Sequence, residues 1–387
     1  MNNEVFEKDA KFVLQNYTRE PLVLVKGRGA RVWDIDGREY IDCVAGIAVN
    51  NVGHCHPKVV EAINRQAETL MHISNLYYSE PQVELAEKLS EITGLDKLFF
   101  CNSGTEAVEA ALKLARRATK KKGFIATEGS FHGRTMGALS ITSKERYRKP
   151  FEPLVPKASF VPYNDPDAIK SKINGDTAAV ILEPIQIESG GIKIPSDDYL
   201  PAVREICDDF GVLLIFDEVQ TGFGRTGKWF AKDHFKVRPD IMTMAKALGG
   251  GFPIGAVGIV EDVAGKIERG DHAATFGGNP LACASALASI DAIIDEDLIK
   301  RSVELGEYFI DRVSNMKEGG VIKEVRGKGL LIGVEVNGDG NKYASDLREK
   351  GVLINCLLEN ILRIVPPLVI TREEIDTVLS RLSEVLN

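Results

Sequence analysis

Apolar runs of strand length alternate with stretches of helical periodicity through the middle of the chain, and this alternation restricts the possible folds more than any other feature. The runs predicted as strands are residues 97–101, 123–127, 178–183, 212–217 and 241–244. Residues 106–117 and 200–210 have the apolar spacing of helices. Strands that alternate with helices form a largely parallel sheet. The sequence therefore predicts an α/β fold.

The length and the change of pattern along the chain predict more than one packed unit. The 387 residues exceed the roughly 250 to 300 residues at which one hydrophobic core stops growing. Residues 46–290 carry the alternating pattern and are predicted as a large domain. Residues 291–387, with a long helical segment, strands at 329–336 and 361–365 and a closing helix from Thr371, are predicted as a smaller α+β domain. A short β-meander ending near Asp42 is expected in residues 1–45, which are assigned to an N-terminal segment that joins the small domain.

Composition excludes several classes of protein. The formal net charge of -8 and the isoelectric point near 5.5 argue against a nucleic-acid binder. No stretch has the apolar length of a membrane span, and the first residues lack the basic start and apolar core of a secretory signal. The six cysteines form no CxxC pair, as expected of reduced thiols. We therefore expect a cytoplasmic protein without a membrane or nucleic-acid partner.

Two short motifs suggest other sites, but each lacks a necessary part. His54, Cys55 and His56 are consecutive, and this triplet alone cannot orient enough ligands for zinc, so no metal site is predicted. Residues 222–228 fit the G-x-G-x-x-G spacing and most of the P-loop pattern. Trp229, however, occupies the position at which a P-loop needs Ser or Thr, and no convincing amphipathic helix follows. A nucleotide site is therefore disfavoured.

The segment that follows the strand at residues 97–101 has the features of an anion site. Ser103 and Glu106 have the spacing of a helix capping box, and Gly104 and Thr105 occupy the first turn. Free backbone N–H groups and the positive end of the helix dipole favour a phosphate at such a helix start. A well-capped helix without a ligand is the alternative interpretation.

An acid lies at the end of one predicted strand, and a lysine lies just after another. Asp217 ends the apolar run at residues 212–217, where α/β sheets bind ligands, although an acid there could also hold magnesium, a ribose hydroxyl or a structural arginine. Lys246 follows residues 241–244 and precedes three glycines. A lysine in an apolar setting has an accessible neutral amine, which can condense with a carbonyl. Together with the phosphate-type helix start, the acid and the lysine match the needs of pyridoxal 5′-phosphate.

Five segments, in order along the chain, resemble the class III (omega) aminotransferases: residues 102–107, 130–134, 216–220, 245–251 and 275–280. This resemblance extends over nearly the whole chain. It implies the type I, aspartate-aminotransferase-like fold of pyridoxal phosphate-dependent transferases, whose large domain has a mostly parallel seven-stranded sheet. It also implies a homodimer with both active sites at the subunit interface.

The resemblance further implies the residues that bind the cofactor. Lys246 carries it covalently and Asp217 contacts its ring nitrogen. The other implied contacts are Ser103, Gly104, Thr105, Phe131, Val219, Gln220 and Thr275. Of these, Phe131 stacks on the ring and Val219 packs on its opposite face. Gln220 hydrogen-bonds the phenolic oxygen, and Thr275 reaches the phosphate of the neighbouring subunit's cofactor.

Within the class, the chain is most similar to the acetylornithine aminotransferases, which move the terminal amino group of N-acetylornithine to 2-oxoglutarate. The resemblance implies that Arg134 binds the carboxylate far from the reacting amine and that Arg363 binds the α-carboxylate of glutamate. Glu183 is expected to neutralise Arg363 when the other substrate is bound, unless the two form a structural salt bridge. Many acetylornithine enzymes have a serine at the position of Ala274, so that one substrate contact differs here.

Several related activities remain open at this stage. Ornithine aminotransferases carry a tyrosine at the position of Ile47, so free ornithine is disfavoured. The remaining alternatives within the class are transaminases of 4-aminobutyrate, succinylornithine, succinyldiaminopimelate or a lysine-biosynthesis intermediate. An aminomutase on the same fold and a non-enzymatic binding protein are further alternatives. Arg363 argues against the aminomutase, and Lys246 and Asp217 argue against the binding protein.

Overall fold

The structure is a computed structural model that describes residues 2–155, 157–316 and 320–386. Its strands are β1 (Leu24–Arg28), β2 (Arg31–Asp34), β3 (Glu39–Asp42), β4 (Lys97–Cys101), β5 (Gly123–Thr127), β6 (Ala158–Val161), β7 (Thr177–Leu182), β8 (Leu213–Asp217), β9 (Ile241–Met244), β10 (Gly255–Ile259), β11 (Ile322–Lys328), β12 (Leu331–Val336), β13 (Val352–Leu353), β14 (Asn355–Leu357) and β15 (Ile361–Ile364).

The helices are α1 (Asn2–Phe12), α2 (Ala45–Ala48), α3 (Pro57–Thr69), α4 (Glu80–Thr93), α5 (Gly104–Thr119), α6 (Met136–Ser140), α7 (Glu145–Arg148), α8 (Pro166–Lys172), α9 (Tyr199–Phe210), α10 (Lys232–Phe235), α11 (Glu261–Ala264), α12 (Pro280–Asp295), α13 (Leu298–Ser314), α14 (Gly340–Glu349) and α15 (Arg372–Leu386). Two short 3-10 helices cover Lys149–Phe151 and Lys246–Gly249.

A seven-stranded sheet with the order β4-β10-β9-β8-β7-β5-β6 forms the centre of the described chain. Six of its strands run in one direction and β10 runs in the other, so the mostly parallel sheet expected from the sequence is confirmed. Within this sheet, β7 is buried along its whole length. Val180 and Leu182 point into one apolar core, whereas Ala179 and Ile181 point into a second core on the other face. A strand buried on both faces accounts for the continuous apolar run in the sequence.

The carboxyl ends of the parallel strands bring the residues that carry chemistry to one edge of this sheet. Asp217 ends β8, and Lys246 follows β9 by two residues. β10 lies between β4 and β9, with Gly255 opposite Cys101. A Cβ atom on Gly255 would lie 2.5 Å from the carbonyl oxygen of Ser103, so a glycine is needed where β10 passes beneath the start of α5.

Two smaller sheets flank the central one. The strands β1, β2 and β3 form the predicted meander, and β13 pairs in parallel with β3. The second sheet has the order β11-β12-β15-β14 and is antiparallel, and it holds Arg363 in β15 opposite Gly333 and Asn355. The larger apolar core contains residues from all three predicted units, such as Ala30 and Leu379. The domain boundaries themselves stay a prediction.

The His-Cys-His triplet has no convergent geometry. His54 Nε2 lies 2.7 Å from Asp42 Oδ2, whereas His56 Nε2 lies 2.8 Å from Glu296 Oε1 and Cys55 is exposed. Within residues 2–155, 157–316 and 320–386, no group of three or more His, Cys, Asp or Glu side chains could hold a metal ion. The same residues include no helix with the length and apolar character needed to cross a membrane.

The glycine-rich loop at residues 222–227 packs tightly against its surroundings. Gly224 and Gly227 both have φ of +84°, in the left-handed region that favours glycine. A Cβ atom on Gly227 would lie 2.6 Å from Val303 Cγ2, and one on Gly224 would lie 2.9 Å from Leu368 Cδ1. Close packing therefore accounts for these glycines, without a nucleotide phosphate.

Arg225 in this loop is a fully buried cation without a carboxylate hydrogen-bond partner among the described residues. Its guanidinium donates to the carbonyls of Leu330 and Pro366, at 2.9 and 2.6 Å, and to Asn51 Oδ1 at 2.6 Å. Burial lowers the pKa of Arg225 to about 9, although the charge of Asp42 acts in the opposite direction. The side chain thus joins the loop to the segment that follows Arg363.

We predict that Arg225→Met lowers the free energy of unfolding by about 2 to 5 kcal/mol, because three buried acceptors lose their donor. Denaturant unfolding of the holoenzyme measures this loss. The control is Arg269→Met at an exposed position, which should change the free energy by less than about 0.5 kcal/mol. Equal stability of the two variants would contradict the role given to Arg225.

Candidate active site

A cavity of about 460 Å³ opens at the carboxyl edge of the central sheet. This volume is typical of a site for a small molecule. The predicted site residues that line it are Ser103, Gly104, Thr105, Phe131, Arg134, Glu183, Asp217, Val219, Gln220 and Lys246. The fold thus brings together residues that are up to 143 positions apart in the sequence, from Ser103 to Lys246.

Lys246 is the first residue of the 3-10 helix after β9 and has φ of +46°. A left-handed backbone at a lysine is strained, and such strain concentrates at functional sites. Burial lowers the pKa of the Lys246 ammonium, and the charge of Arg363 acts in the same direction. Glu188, Asp217 and Glu183 oppose this shift without cancelling it. The neutral amine is therefore more accessible than that of a solvated lysine.

Asp217 is held by donors from three directions. Oδ2 lies 2.7 Å from His132 Nδ1, and Oδ1 accepts hydrogen bonds from the backbone N–H of Val219 and the hydroxyl of Thr243, both at 3.1 Å. Burial alone would lower the pKa of His132, but its hydrogen bond with Asp217 and the charges of Asp217 and Glu183 outweigh this effect, and the pKa is raised. The hydrogen bond and the charge of Asp217 therefore favour the protonated form of the imidazole that faces this carboxylate.

His132 and Thr243 are functional neighbours that the sequence argument did not single out. His132 is buried, and its Nε2 has no hydrogen-bond partner among the described residues. A lone buried histidine is indistinguishable in sequence from an ordinary core residue. Its position in the segment 130–134 was the one available signal, because Phe131 and Arg134 in that segment were already assigned to the site.

The start of α5 forms a capped helix end that faces the cavity. Ser103 is the N-cap, and its Oγ accepts from the Glu106 N–H at 3.3 Å. The Glu106 carboxylate accepts from the backbone N–H of Asn102, at 2.6 Å, instead of the N-cap N–H of an ordinary capping box. First-turn N–H groups have no acceptor within the helix and can bind an anion. A Cβ atom on Gly104 would lie 2.8 Å from Val219 Cγ1, so glycine permits this close approach.

Glu183 lines the cavity but does not pair with Arg363. Its two oxygens accept from the backbone N–H groups of Phe131 and Ile187, at 2.8 and 3.4 Å. Burial raises the pKa of Glu183 to about 7, partly opposed by the charge of His132. Glu183 thus fixes the backbone beneath the Phe131 ring.

The carboxylate that pairs with Arg363 is Glu188, which corrects the expectation from the sequence. Arg363 Nη1 contacts Glu188 Oε1 and also donates to Gln220 Oε1 at 3.2 Å, while its Nε donates to Asn355 Oδ1 at 3.0 Å. Arg363 is only 1% exposed. Burial alone would raise the pKa of Glu188, but Arg363 and Lys246 outweigh it and the pKa is lowered. The acid lies five residues beyond Glu183, in the loop that follows β7.

Ala274 and Thr275 lie outside the large cavity of their own chain. They line a second cavity of about 410 Å³ together with Glu106, His272 and Phe276, among others. Their assignment to the active site of a neighbouring subunit stays a prediction.

Ile47 lies in a left-handed turn, and the described structure leaves it exposed. Four consecutive residues at 45–48 have positive φ. Asp42 Oδ1 caps this turn by accepting from the N–H groups of Val44 and Ala45, at 2.8 and 3.0 Å. Val49, immediately after the turn, lines the large cavity.

The family comparison agrees with this site. The sequence model described as "Aminotransferase class-III" matches residues 13–386. The chain belongs to the class-III aminotransferase family. It is therefore a pyridoxal phosphate-dependent transaminase, and both the family and the cofactor expected from the sequence are confirmed.

Similar proteins cover nearly all of this class-III aminotransferase. The acetylornithine aminotransferase of Methanosarcina mazei is 61% identical, over 99% of this chain and 96% of that protein. That of Archaeoglobus fulgidus is 53% identical, over 96% and 97%. The ornithine aminotransferase of Toxoplasma gondii has a crystal structure with a TM-score of 0.96, 38% identity and coverage of 100% and 95%. The acetylornithine aminotransferase of Elizabethkingia anophelis gives a TM-score of 0.89, 35% identity and coverage of 100% and 98%.

The residues of this class-III aminotransferase fit the cofactor. The start of α5 offers N–H groups to a phosphate, and Asp217, held by His132, offers a carboxylate to the pyridine nitrogen. Lys246 offers an amine to the aldehyde. Phe131 and Val219 supply apolar surface in the same cavity. We propose these contacts as the cofactor site.

We predict that borohydride reduction of the holoenzyme attaches the cofactor to Lys246, because burial lowers the pKa of its ammonium and so favours the reactive neutral amine. Peptide mapping by mass spectrometry identifies the modified lysine. Lys246→Ala should remove the adduct, whereas Lys232→Ala, at another buried lysine, should leave it in place. An adduct on a different lysine of the unaltered enzyme would exclude the assignment.

The raised pKa of Glu183 predicts a pH dependence of stability. Because the folded-state pKa of about 7 exceeds the ordinary value of 4.5, the native state holds a proton that the unfolded state has lost between these pH values. The stabilising contribution is therefore complete below about pH 4.5 and is lost as the pH rises through about 7. Glu183→Gln should make unfolding less pH-dependent over this range. Glu128→Gln, at an exposed position, is the control, and identical profiles for both variants would contradict the prediction.

Proposed function

We propose that this class-III aminotransferase moves the terminal amino group of N-acetylornithine to 2-oxoglutarate, giving N-acetylglutamate semialdehyde and glutamate, by a ping-pong mechanism. This is a step of arginine biosynthesis. The observation that carries the proposal is the unequal state of two arginines near one cavity: Arg134 has no carboxylate partner among the described residues, whereas Arg363 is covered by Glu188. The names of the acetylornithine aminotransferases to which the chain is similar support the same substrate.

The chain's own residues have distinct tasks in this reaction. Pyridoxal phosphate supplies the electron sink when it is bound. Lys246 Nζ takes the proton from the substrate carbon that carries the reacting amine and holds it for the later protonation step. Asp217 would hold a proton at the pyridine nitrogen, and His132 orients the Asp217 carboxylate. Phe131, whose backbone N–H is held by Glu183, would pack against the cofactor ring.

The two arginines distinguish the two substrates by the position of the carboxylate. In N-acetylornithine the reacting amine is terminal, so its carboxylate lies far from the chemistry and meets Arg134. Glutamate carries a second carboxylate beside the reacting amine, and Arg363 binds it. A guanidinium suits a carboxylate because its planar fork can donate two parallel hydrogen bonds.

Glu188 makes this double use of the site possible. When N-acetylornithine is bound, Arg363 has no substrate carboxylate, and a buried arginine without a counter-ion is costly. Glu188 covers Arg363 in that state. When glutamate or 2-oxoglutarate binds, the α-carboxylate replaces Glu188, whose side chain is 25% exposed and adjoins solvent.

The proposal includes a homodimer with both active sites at the interface. Thr275 would then reach the cofactor phosphate of the neighbouring subunit. Large apolar side chains near Thr275 support an interface, since Phe276, Leu76 and Tyr78 are 57%, 82% and 97% exposed in one chain. Such a concentration of exposed apolar surface is typical of a protein interaction site.

A cytoplasmic location is also part of the proposal. The six cysteines are free thiols, and Cys43, Cys101, Cys207 and Cys283 are buried. Burial raises the pKa of each of these four thiols, which keeps them unreactive. Unpaired cysteines fit a reducing compartment.

The experiment that tests the proposed substrate is amino-acceptor-dependent turnover of a donor panel. The panel contains N-acetylornithine, succinylornithine, succinyldiaminopimelate, 4-aminobutyrate and ornithine. We expect N-acetylornithine to have the highest kcat/KM with 2-oxoglutarate, and ornithine a lower one because Ile47 offers no hydrogen-bonding group to a free α-amine. A higher kcat/KM for another donor would replace the proposed substrate. Turnover without any acceptor would indicate an aminomutase.

We predict that Arg363→Ala impairs the glutamate half-reaction selectively, whereas Arg134→Ala weakens both half-reactions. Loss of a charge-assisted bidentate contact costs about 1.5 to 3 kcal/mol, roughly tenfold to a hundredfold in the specificity constant. Stopped-flow absorbance of the bound cofactor measures each half-reaction separately. Equal losses with N-acetylornithine and glutamate in Arg363→Ala would mean that Arg363 is structural and that its exchange with Glu188 does not occur.

A further inference from the structure

The guanidinium of Arg134 is held by aromatic rings alone. It lies at the rim of the large cavity and is exposed, and among the described residues it makes no hydrogen bond or ion pair. Its Cζ atom is 3.6 Å from the centroid of the Tyr147 ring and 5.5 Å from that of Phe131. An exposed arginine side chain is ordinarily free to adopt many rotamers. The stack on Tyr147 is therefore the contact that selects one position.

Tyr147 in turn is fixed against the interior of the site. It belongs to α7 (Glu145–Arg148) and is partly buried. Its ring meets the Phe131 ring edge-on, at a centroid distance of 6.4 Å and an interplanar angle of 85°. The backbone N–H of Phe131 donates to Glu183 at 2.8 Å. A continuous series of contacts thus leads from the buried Glu183 to the guanidinium at the rim.

Two more cations approach the same ring. Lys144 Nζ and Arg146 Cζ lie 5.3 and 5.2 Å from the Tyr147 centroid. Burial alone would raise the pKa of the Tyr147 hydroxyl, but Arg146, Lys144 and Arg134 outweigh it and the pKa is lowered. Repulsion from Lys144 and Arg146 would move the Arg134 guanidinium into solvent if the Tyr147 ring did not attract it.

We propose that Tyr147 is a positioning residue, which holds Arg134 as a preorganised fork for the substrate carboxylate distant from the reacting amine. Stacking uses the face of the guanidinium and leaves the N–H groups at its edge free to bind that carboxylate. This inference rests on the proposed function, which assigns the distal carboxylate to Arg134. It adds a specificity determinant, because Tyr147 acts only on donors that carry this carboxylate.

The test compares two donors that differ by that group alone, N-acetylornithine and N-acetylputrescine, in single turnovers of the holoenzyme. Tyr147→Leu should lower the second-order rate constant for N-acetylornithine about fivefold to thirtyfold. The loss should arise from weaker binding, with little change in the rate at saturation. The rate constant for N-acetylputrescine should not change, and Tyr147→Phe, which keeps the ring, should restore the reaction of N-acetylornithine.

Tyr308→Leu is the matched control, because Arg372 stacks on Tyr308 at 4.1 Å outside the active site. It should affect neither donor. In the Arg134→Ala background, Tyr147→Leu should cause no further loss. Three outcomes would each overturn the proposal. They are equal losses with both donors, a loss confined to the rate at saturation, and a full additional loss from Tyr147→Leu in the Arg134→Ala background.

A failure of the proposed function can be distinguished from a failure of the role proposed for Tyr147. If the unaltered enzyme does not convert N-acetylornithine, that substrate assignment is wrong. Tyr147 is then tested with glutamate and 2-aminobutyrate, which differ in the distal carboxylate but share the α-carboxylate. Selective loss with glutamate supports the positioning role, and equal loss excludes it.

Discussion

The buried carboxylate of Asp217 is the constraint on which the rest of the site depends. A carboxylate at the end of an apolar strand needs donors, and His132, Thr243 and the Val219 N–H supply them. These donors come from a loop, from the adjacent strand β9 and from the turn after β8. Their convergence therefore requires the parallel register of β8 and β9, which also places Lys246 beside Asp217. The same strand register that supplies hydrogen-bond donors to the buried Asp217 carboxylate also brings it close to the Lys246 amine.

The parts of the fold that could be predicted are those whose side chains carry the signal themselves. The bounds 97–101, 123–127 and 241–244 agree with the structure. β5 and β9 are almost wholly buried, and a strand buried on both faces is apolar throughout. The strands β6 and β10 were not predicted. β6 is a short edge strand with partly exposed residues. β10 contains Gly255 and Gly258, which are typical of loops but are required here by contacts with Ser103 and Leu95.

The residues of the candidate site also divide into those that the sequence indicates and those that only the tertiary fold reveals. Asp217 and Lys246, which lie at or just beyond the carboxyl ends of strands, could be singled out from the sequence because the sheet fixes where those ends lie. Glu183 also follows a strand and was assigned to Arg363 from the family resemblance, but backbone N–H groups occupy its oxygens. Glu188 lies in a loop, so its approach to Arg363 depends on tertiary folding. No local pattern in the sequence contains that information.

Burial explains why one arginine of the site needs a carboxylate partner and the other does not. Arg363 is enclosed in an antiparallel sheet, where an unpaired charge is costly, so the protein must supply Glu188 whenever the substrate lacks an α-carboxylate. Arg134 is exposed at the rim and stays hydrated between turnovers. Its free energy is little affected by the absence of an anion, and a ring stack is enough to orient it. A site that accepts two carboxylate patterns can therefore use a replaceable acid for the buried position and an aromatic support for the exposed one.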